Sequence, residues 1–75
     1  MTGREIDRDI YDPIISKWIN GRNGERDRFI LRMYLFDGIT YEKMLDRLEE
    51  QGYEIGKDRL KQIIRQRKAE LFRHV

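Results

Sequence analysis

The segment 56–67 places the tightest constraint on the fold, because its apolar residues recur with the period of an α-helix. Leu60, Ile63 and Ile64 are spaced at i, i+3 and i+4, so they share one face of a helix. Leu71 continues the same stripe further along the chain. One face of this helix is therefore expected to be buried against other elements, while the rest of its surface is polar.

The polar face of this helix carries cations, an amide, an acid and a small residue: Asp58, Lys61, Gln62, Arg65 and Ala69. Side chains of these types contact base edges and phosphates when a helix lies in the major groove of DNA. An ordinary solvated helix surface has the same kind of composition, because charged residues are mostly exposed. The face on its own leaves both interpretations open.

The charges of the chain are unevenly distributed. Residues 57–75 carry seven Lys or Arg and two acidic residues, a formal charge of +5, while residues 1–56 carry nine against twelve, a charge of −3. The net charge of +2 hides this polarity. A basic C-terminal helix on a mildly acidic body suits a polyanionic partner.

Length and composition point to a small intracellular domain. A chain of 75 residues suits one domain with a single core. The absence of cysteine excludes disulfides and thiolate metal sites. The N-terminus does not resemble a signal peptide, and no apolar run is long enough to span a membrane. We therefore expect a cytoplasmic protein without a membrane partner.

The N-terminal part predicts a flexible lead-in over residues 1–10, followed by a single domain over residues 11–75. Asp12 and Pro13 read as the N-cap and first position of a helix over about 13–20. Ile14, Ile15, Trp18 and Ile19 form its apolar stripe. Trp18 can serve as a ligand platform, but a large aromatic residue at helical spacing is more often part of a core.

Three further helices are predicted, over about 25–37, 41–51 and 57–72. Gly38 ends the second, Thr40 caps the third, and Gly52 ends the third. Strand-like alternation is absent from the sequence, so the predicted fold is all-α, a small bundle of three to four helices. We expect its core to bring together Phe29, Met33, Phe36, Leu45, Leu48, Leu60 and Ile64.

Catalytic chemistry is not indicated. The only histidine, His74, is next to the last residue, so no histidine-based triad or zinc site can be assembled. Asp46, Glu49 and Glu50 read as solvated charges, and no phosphate-binding glycine loop is present. We expect neither an enzyme nor a bound cofactor or metal.

The third and fourth helices read together as a helix-turn-helix pair. Residues 57–63, Lys-Asp-Arg-Leu-Lys-Gln-Ile, resemble the Arg-Glu-Arg-Ile-Arg-Gln-Ile of region four in bacterial sigma factors. Residues 26–44 are similar to the helix, glycine and Thr/Ser-x-Glu-Glu-Ile start of that region. The resemblance covers about two thirds of the chain, residues 25–71.

The sequence departs from the sigma pattern in two places. It has about five extra residues between Leu48 and Glu54, and in this respect it resembles the helix-turn-helix of arginine repressors, where a Gly-Tyr-x-Val step precedes the recognition helix. Leu45 stands where Ala or Gly is frequent, which implies wider packing of the two helices.

The sigma resemblance implies roles for nine residues. Four would contact bases in the major groove: Lys57, Asp58, Lys61 and Gln62. Five would contact DNA phosphates: Thr40, Tyr41, Arg59, Arg65 and Lys68. The chain is too short for a whole sigma factor, so we expect a free-standing transcriptional regulator of the size common in phages and mobile elements.

Several alternatives stay open at this point. Region four also docks on RNA polymerase, so a protein-interaction module that does not read DNA is the main rival, with Tyr34, Tyr41, Tyr53 and Phe72 as a possible aromatic surface. Binding to RNA is a third class. Contact with RNA polymerase, and pairing of two copies on DNA, are open as well.

Overall fold

The computed structural model describes residues 8–74, which fold into four α-helices. These are α1 (Arg8–Trp18), α2 (Gly24–Arg32), α3 (Tyr41–Glu50) and α4 (Lys57–Arg73), and a π-helical segment, Met33–Asp37, extends α2. No strand occurs among the described residues, so the predicted all-α class is confirmed. None of the helices in this part of the chain is long and apolar enough to cross a lipid bilayer.

Helix α2 is the centre of the molecule, because its two sides pack into two different apolar clusters. Ile30 and the adjoining Met33 belong to the larger cluster, formed with α3 and α4: Ile30, Met33, Met44, Leu48, Leu60, Ile63 and Ile64. Leu31 belongs to the smaller cluster, which joins α1 to the end of α4: Ile15, Ile19, Leu31 and Leu71. Apolar residues lie almost all the way round the axis of this helix because neighbouring helices enclose it on both sides.

The prediction of one core for seven residues was therefore partly wrong. Met33, Leu48, Leu60 and Ile64 do meet in the larger cluster, where Phe29 and Leu45 are half-buried at the margin. Phe36 packs against the smaller cluster instead. Its position in the π-helical segment, on the side of α2 that faces α1, explains the difference.

Helix α1 begins earlier than the sequence predicted. Residues 8–10 are helical, and Pro13 lies inside the helix rather than at its first position. Asp12 does not act as a cap; its Oδ1 accepts a hydrogen bond from Nε of Arg32 at 2.7 Å. Tyr11, packed edge-on against Phe72 with ring centroids 5.9 Å apart, holds the turn before Pro13 in place. Residues 8–10, which the sequence placed in a flexible lead-in, are thus helical, and positions 1–7 lie outside the described part of the chain.

Trp18 is not a core residue, contrary to the prediction. Its side chain is 45% exposed, and the fully buried position at this end of α1 is Ile19. The indole ring stacks on the ring of His74, with centroids 4.0 Å apart and planes 4° apart. A contact between residues this distant in sequence cannot be read from helical spacing.

The second predicted helix ends in a π-helical segment. The Gly38 amide donates to the carbonyl of Met33 at 3.0 Å, five residues back, so the last turn is wider than an α-turn. Gly38 has φ +63°, a left-handed conformation that glycine adopts without steric cost. The prediction that Gly38 ends this helix is confirmed.

The segment 51–56 connects α3 to α4 and is ordered by backbone hydrogen bonds. Thr40 caps the start of α3, with Oγ1 accepting from the amide of Lys43 at 3.3 Å. At the end of α3, the Tyr53 amide donates to the Leu48 carbonyl at 2.8 Å, and the Gly52 amide donates to the Glu49 carbonyl at 2.9 Å. This is a Schellman motif, with Gly52 at φ +89°. The side chain of Tyr53 also packs against the larger cluster, which contains Leu48.

Candidate functional site

Helix α4 presents a continuous exposed arc on the side opposite its buried stripe. The buried stripe contains Leu60, Ile63, Ile64 and Leu71. The four predicted base-contacting residues are all exposed, as are the predicted phosphate contacts Arg59 and Arg65; Lys68 is half-buried. At 100° per residue these side chains span about half of the helix circumference. The arc is accessible to a partner along the whole length of the helix.

One edge of this arc is formed by three lysines, each of which contacts a residue outside α4. Nζ of Lys57 lies 2.7 Å from Oε2 of Glu42. Nζ of Lys61 lies 5.6 Å from the ring centroid of Tyr41, and Nζ of Lys68 lies 5.3 Å from that of Tyr34. These lysines share one edge because they stand at positions 57, 61 and 68, close to multiples of the helical repeat. We refer to them as the lysine edge.

The lysine edge borders a shallow groove of about 340 Å³, lined by Tyr34, Tyr41, Lys61, Ile64, Arg65 and Lys68. Four of these residues come from the C-terminal helix, and two tyrosines close the other side. Ile64, only 4% exposed, gives the groove an apolar base. Cations beside phenol hydroxyls favour an oxygen anion such as a phosphate, because every one of these polar groups can donate a hydrogen bond.

The cations of the groove form no ion pair within the described residues 8–74. No carboxylate there lies within ion-pair distance of Lys61, Arg65 or Lys68. Lys61 and Lys68 instead face aromatic rings, and Lys61 also feels the charge of Glu42 without forming an ion pair with it. These cations are therefore not neutralised by an ion pair within residues 8–74.

The opposite edge of the arc holds Arg59 and Gln62 together. Nη1 of Arg59 donates to Oε1 of Gln62 at 3.0 Å. The amide group of Gln62 keeps its two N–H donors and a second lone pair on Oε1. Gln62 is therefore still able to pair with a base, and Arg59, predicted as a phosphate contact, lies directly beside a predicted base contact.

Thr40 lies at the exposed start of α3, next to Tyr41. Its hydroxyl oxygen accepts the capping hydrogen bond from the Lys43 amide. The hydroxyl hydrogen remains available as a donor. The cap and a contact with a phosphate oxygen are compatible.

Arg67 is the basic residue of α4 that does not belong to the exposed arc. Its Nε donates to Oδ2 of Asp27 at 2.7 Å, and its Nη1 donates to the carboxylate of Glu70 at 3.1 Å. Burial alone lowers the pKa of Arg67, but the hydrogen bond to Asp27 and the charges of both carboxylates outweigh it and raise that pKa. Arg67 thus contributes to the fold, and its charge is not presented to a partner.

The contact between Lys57 and Glu42 affects the titration of both groups. The hydrogen bond from Lys57 lowers the pKa of the Glu42 carboxyl from its ordinary value of 4.5. The same hydrogen bond raises the pKa of the Lys57 ammonium. Both groups are therefore charged at neutral pH, and within residues 8–74 Lys57 is the member of the lysine edge that forms an ion pair.

Tyr34 is a polar residue of the groove that was not among the predicted DNA contacts. The sequence singled it out only as a possible aromatic contact for a protein. Its place opposite Lys68 depends on the π-helical turn, for which the residues 33–37 carry no recognisable signal. Tyr41, Lys61, Arg65 and Lys68 were all predicted contacts, and the structure brings these four together.

Comparison with known proteins gives no relative for this chain. No protein-family model, no curated protein and no solved structure matches it.

Proposed function

We propose that this protein is a sequence-specific DNA-binding regulator of transcription, with α3 and α4 acting as a helix-turn-helix similar to region four of sigma factors. The observation that carries the proposal is the exposed arc of α4 beside the groove of Lys61, Arg65 and Lys68, whose cations form no ion pair within residues 8–74. Double-stranded DNA supplies the regularly spaced phosphates that such an arc attracts.

In this proposal α4 lies in the major groove. Its 17 residues extend about 25 Å at 1.5 Å per residue, and a helix fits the groove, which is about 12 Å wide. The first two turns hold the residues assigned to base contacts: Lys57, Asp58, Lys61 and Gln62. Gln62 suits the N6 and N7 edge of adenine, and the lysines suit guanine O6 and N7.

The phosphate contacts are assigned to residues on both sides of that helix. Thr40 and Tyr41, at the start of α3, would contact the phosphates of one strand. Arg65 and Lys68, on the other side of the protein groove lined by the two tyrosines, would contact the same strand. Arg59 would contact the other strand from the opposite edge. These contacts position the protein and do not distinguish sequences.

The setting of this function is also a proposal. A transcriptional regulator of this kind acts in the cytoplasm of a bacterial cell or on a phage or mobile element within it. Two copies on DNA, spaced by a helical turn, would raise affinity for an operator. RNA polymerase is the protein partner that the sigma resemblance implies.

A second candidate function, a protein-interaction module without DNA reading, is favoured by an exposed apolar surface elsewhere. Ile10, Trp18 and Phe72 are 53%, 45% and 43% exposed. They lie on α1 and on the last turn of α4, and none of them lines the groove. A partner bound through these residues would be insensitive to salt, because burial of aromatic surface does not release counterions.

The test measures binding to a mixed-sequence duplex at a series of salt concentrations, with fluorescence anisotropy as the readout. We expect the logarithm of the association constant to fall steeply with the logarithm of salt concentration, and Arg65→Gln to reduce the slope by about one unit. Arg22→Gln is the matched control, since Arg22 is an exposed cation in the turn between α1 and α2. Equal slopes for the two variants, or no binding to duplex at low salt, would rule out the proposed interface.

A further inference from the structure

Among residues 8–74, Glu42 is the acidic residue that forms an ion pair with the lysine edge. It lies in the first turn of α3, and its carboxylate meets the first residue of α4, Lys57, at 2.7 Å. The side chains of Glu42 and Lys57 are 68% and 47% exposed. The contact therefore lies on the outer surface, where the starts of the two helices meet, and in the proposed function this surface faces DNA.

The other acid at this end is on α4 itself. Asp58 follows Lys57, and its negative charge acts on the Lys57 ammonium. Lys57 nevertheless donates its hydrogen bond to Glu42. Lys61 is also close enough to Glu42 to feel its charge. A single carboxylate thus acts on two of the lysines assigned to base contacts.

We propose that Glu42 is a specificity-determining residue, which restrains Lys57 from contacting phosphates and lets it contact a base edge. This inference rests on the proposed DNA-binding function. A phosphate that approaches Lys57 brings a negative charge next to the carboxylate of Glu42, and the two anions repel each other. The edge of guanine is neutral, so its approach is not opposed in this way.

The chemistry of the ammonium group makes both contacts possible at once. Lys57 has three N–H donors, of which the hydrogen bond to Glu42 uses one. The remaining donors are available to guanine O6 and N7. Glu42 thereby weakens binding to sequences that offer Lys57 only phosphates, and it weakens binding to the preferred sequence much less.

Glu42→Gln tests this role because it removes the charge and keeps the size of the side chain. The probes are a duplex obtained by selection from a random pool and a scrambled duplex of the same length. For the scrambled duplex we expect affinity to rise by about three- to tenfold, with a salt slope steeper by about 0.9, as for one added phosphate contact. For the selected duplex we expect a change of less than about twofold, so the ratio of the two affinities falls.

Glu49→Gln is the matched control, with the same change of charge on the same helix. Glu49 is exposed, and its side chain makes no ion pair with the described residues. We expect this variant to raise both affinities alike and to leave their ratio near that of the wild type. Far-ultraviolet circular dichroism checks that both variants stay folded.

A second variant shows whether Lys57 carries the effect. In a Lys57→Gln background, Glu42→Gln is expected to change the affinity ratio no more than Glu49→Gln does. Persistence of the full effect in that background would overturn the inference, as would equal behaviour of Glu42→Gln and Glu49→Gln in the wild-type background. In either case a wild type that still discriminates the selected duplex leaves the proposed function intact, whereas a wild type that binds neither duplex contradicts both.

Discussion

The carboxylate of Asp27 on α2 lies 2.7 Å from Nε of Arg67 on α4, forty positions later in the chain. Asp27 is 3% exposed and is the one buried charged residue among residues 8–74. Its other oxygen accepts from Nε of Arg26 at 3.0 Å, so both carboxylate oxygens are satisfied. The pair fixes the C-terminal half of α4 against the central helix, between the exposed Arg65 and the half-buried Lys68.

Removal of this carboxylate is expected to destabilise the fold strongly. Asp27→Ala leaves the largely buried guanidinium of Arg67 without its main partner, and breaking such a pair costs about 3 kcal/mol. Asp12→Ala is the control, because Asp12 meets Arg32 at the same distance, 2.7 Å, but with side chains 41% and 34% exposed. That exposed pair is expected to contribute about 0 to 1 kcal/mol. Urea unfolding at neutral pH measures both, and equal losses would contradict the role given to Asp27.

The two apolar clusters are expected to unfold together, since α2 contributes to both. Leu60→Ala in the larger cluster and Leu31→Ala in the smaller one should each cost about 2 to 5 kcal/mol, because both leucines are fully buried. Ile10→Ala, at a position that is 53% exposed, should change stability by less than about 0.5 kcal/mol. Chemical denaturation should show one transition for every variant. Two separate transitions, or an unchanged midpoint for Leu60→Ala, would contradict this packing.

The turn between α3 and α4 is expected to depend on Gly52. Its φ of +89° is unfavourable for any residue with a Cβ, so Gly52→Ala should cost about 1 to 2 kcal/mol although nothing lies within 4 Å of the added atom. Gly56 has φ −87° and no side-chain cap, so Gly56→Ser should stabilise by about 0.5 to 1 kcal/mol through a new N-cap and a less flexible unfolded chain. Thermal unfolding distinguishes the two. The same sign for both changes would be inconsistent with the observed turn.

The Glu42 carboxyl is expected to titrate below its ordinary pKa of 4.5. A lowered pKa in the folded state means that the contact with Lys57 stabilises the fold above pH 4.5, and that this contribution is lost as the pH falls through the lowered value. Lys57→Met should return the titration towards 4.5. Carbon-13 NMR of the glutamate carboxyl groups follows it directly, and identical titration curves in both proteins would show that the contact is not formed in solution.

Sequence reasoning was most successful where local chemistry decides the structure. Thr40, Gly38 and Gly52 mark helix ends through capping and positive φ, which depend on a few neighbouring residues. The exposed face of α4 followed from its apolar period alone. These features are local, so no partner elsewhere in the chain has to be known.

The features that were missed depend on contacts between distant residues. Helix α1 continues before Pro13, where Tyr11 packs on Phe72, and Trp18 lies at the surface, where its ring stacks on His74. Arg67 was also counted among the basic residues of α4 that could attract a polyanion, although it forms an ion pair with Asp27. No periodicity identifies which of many charged residues will form a buried pair.

The central claim is that α4 reads DNA sequence, and Gln62 offers its sharpest test. Gln62→Ala is expected to cost about 1 to 3 kcal/mol on the preferred duplex, because a bidentate contact with adenine is lost, and much less on scrambled DNA. Gln66→Ala is the matched control, since Gln66 is an exposed glutamine one turn further along and has no predicted base contact.

The decisive measurement is a titration of the wild type and both variants against the preferred and scrambled duplexes at one fixed salt concentration. The preferred duplex comes from selection of bound sequences out of a random pool. The account predicts that the wild type favours the selected duplex and that Gln62→Ala, unlike Gln66→Ala, loses most of that preference. Equal affinities of the wild type for the two duplexes, or a preference unchanged by Gln62→Ala, would contradict it.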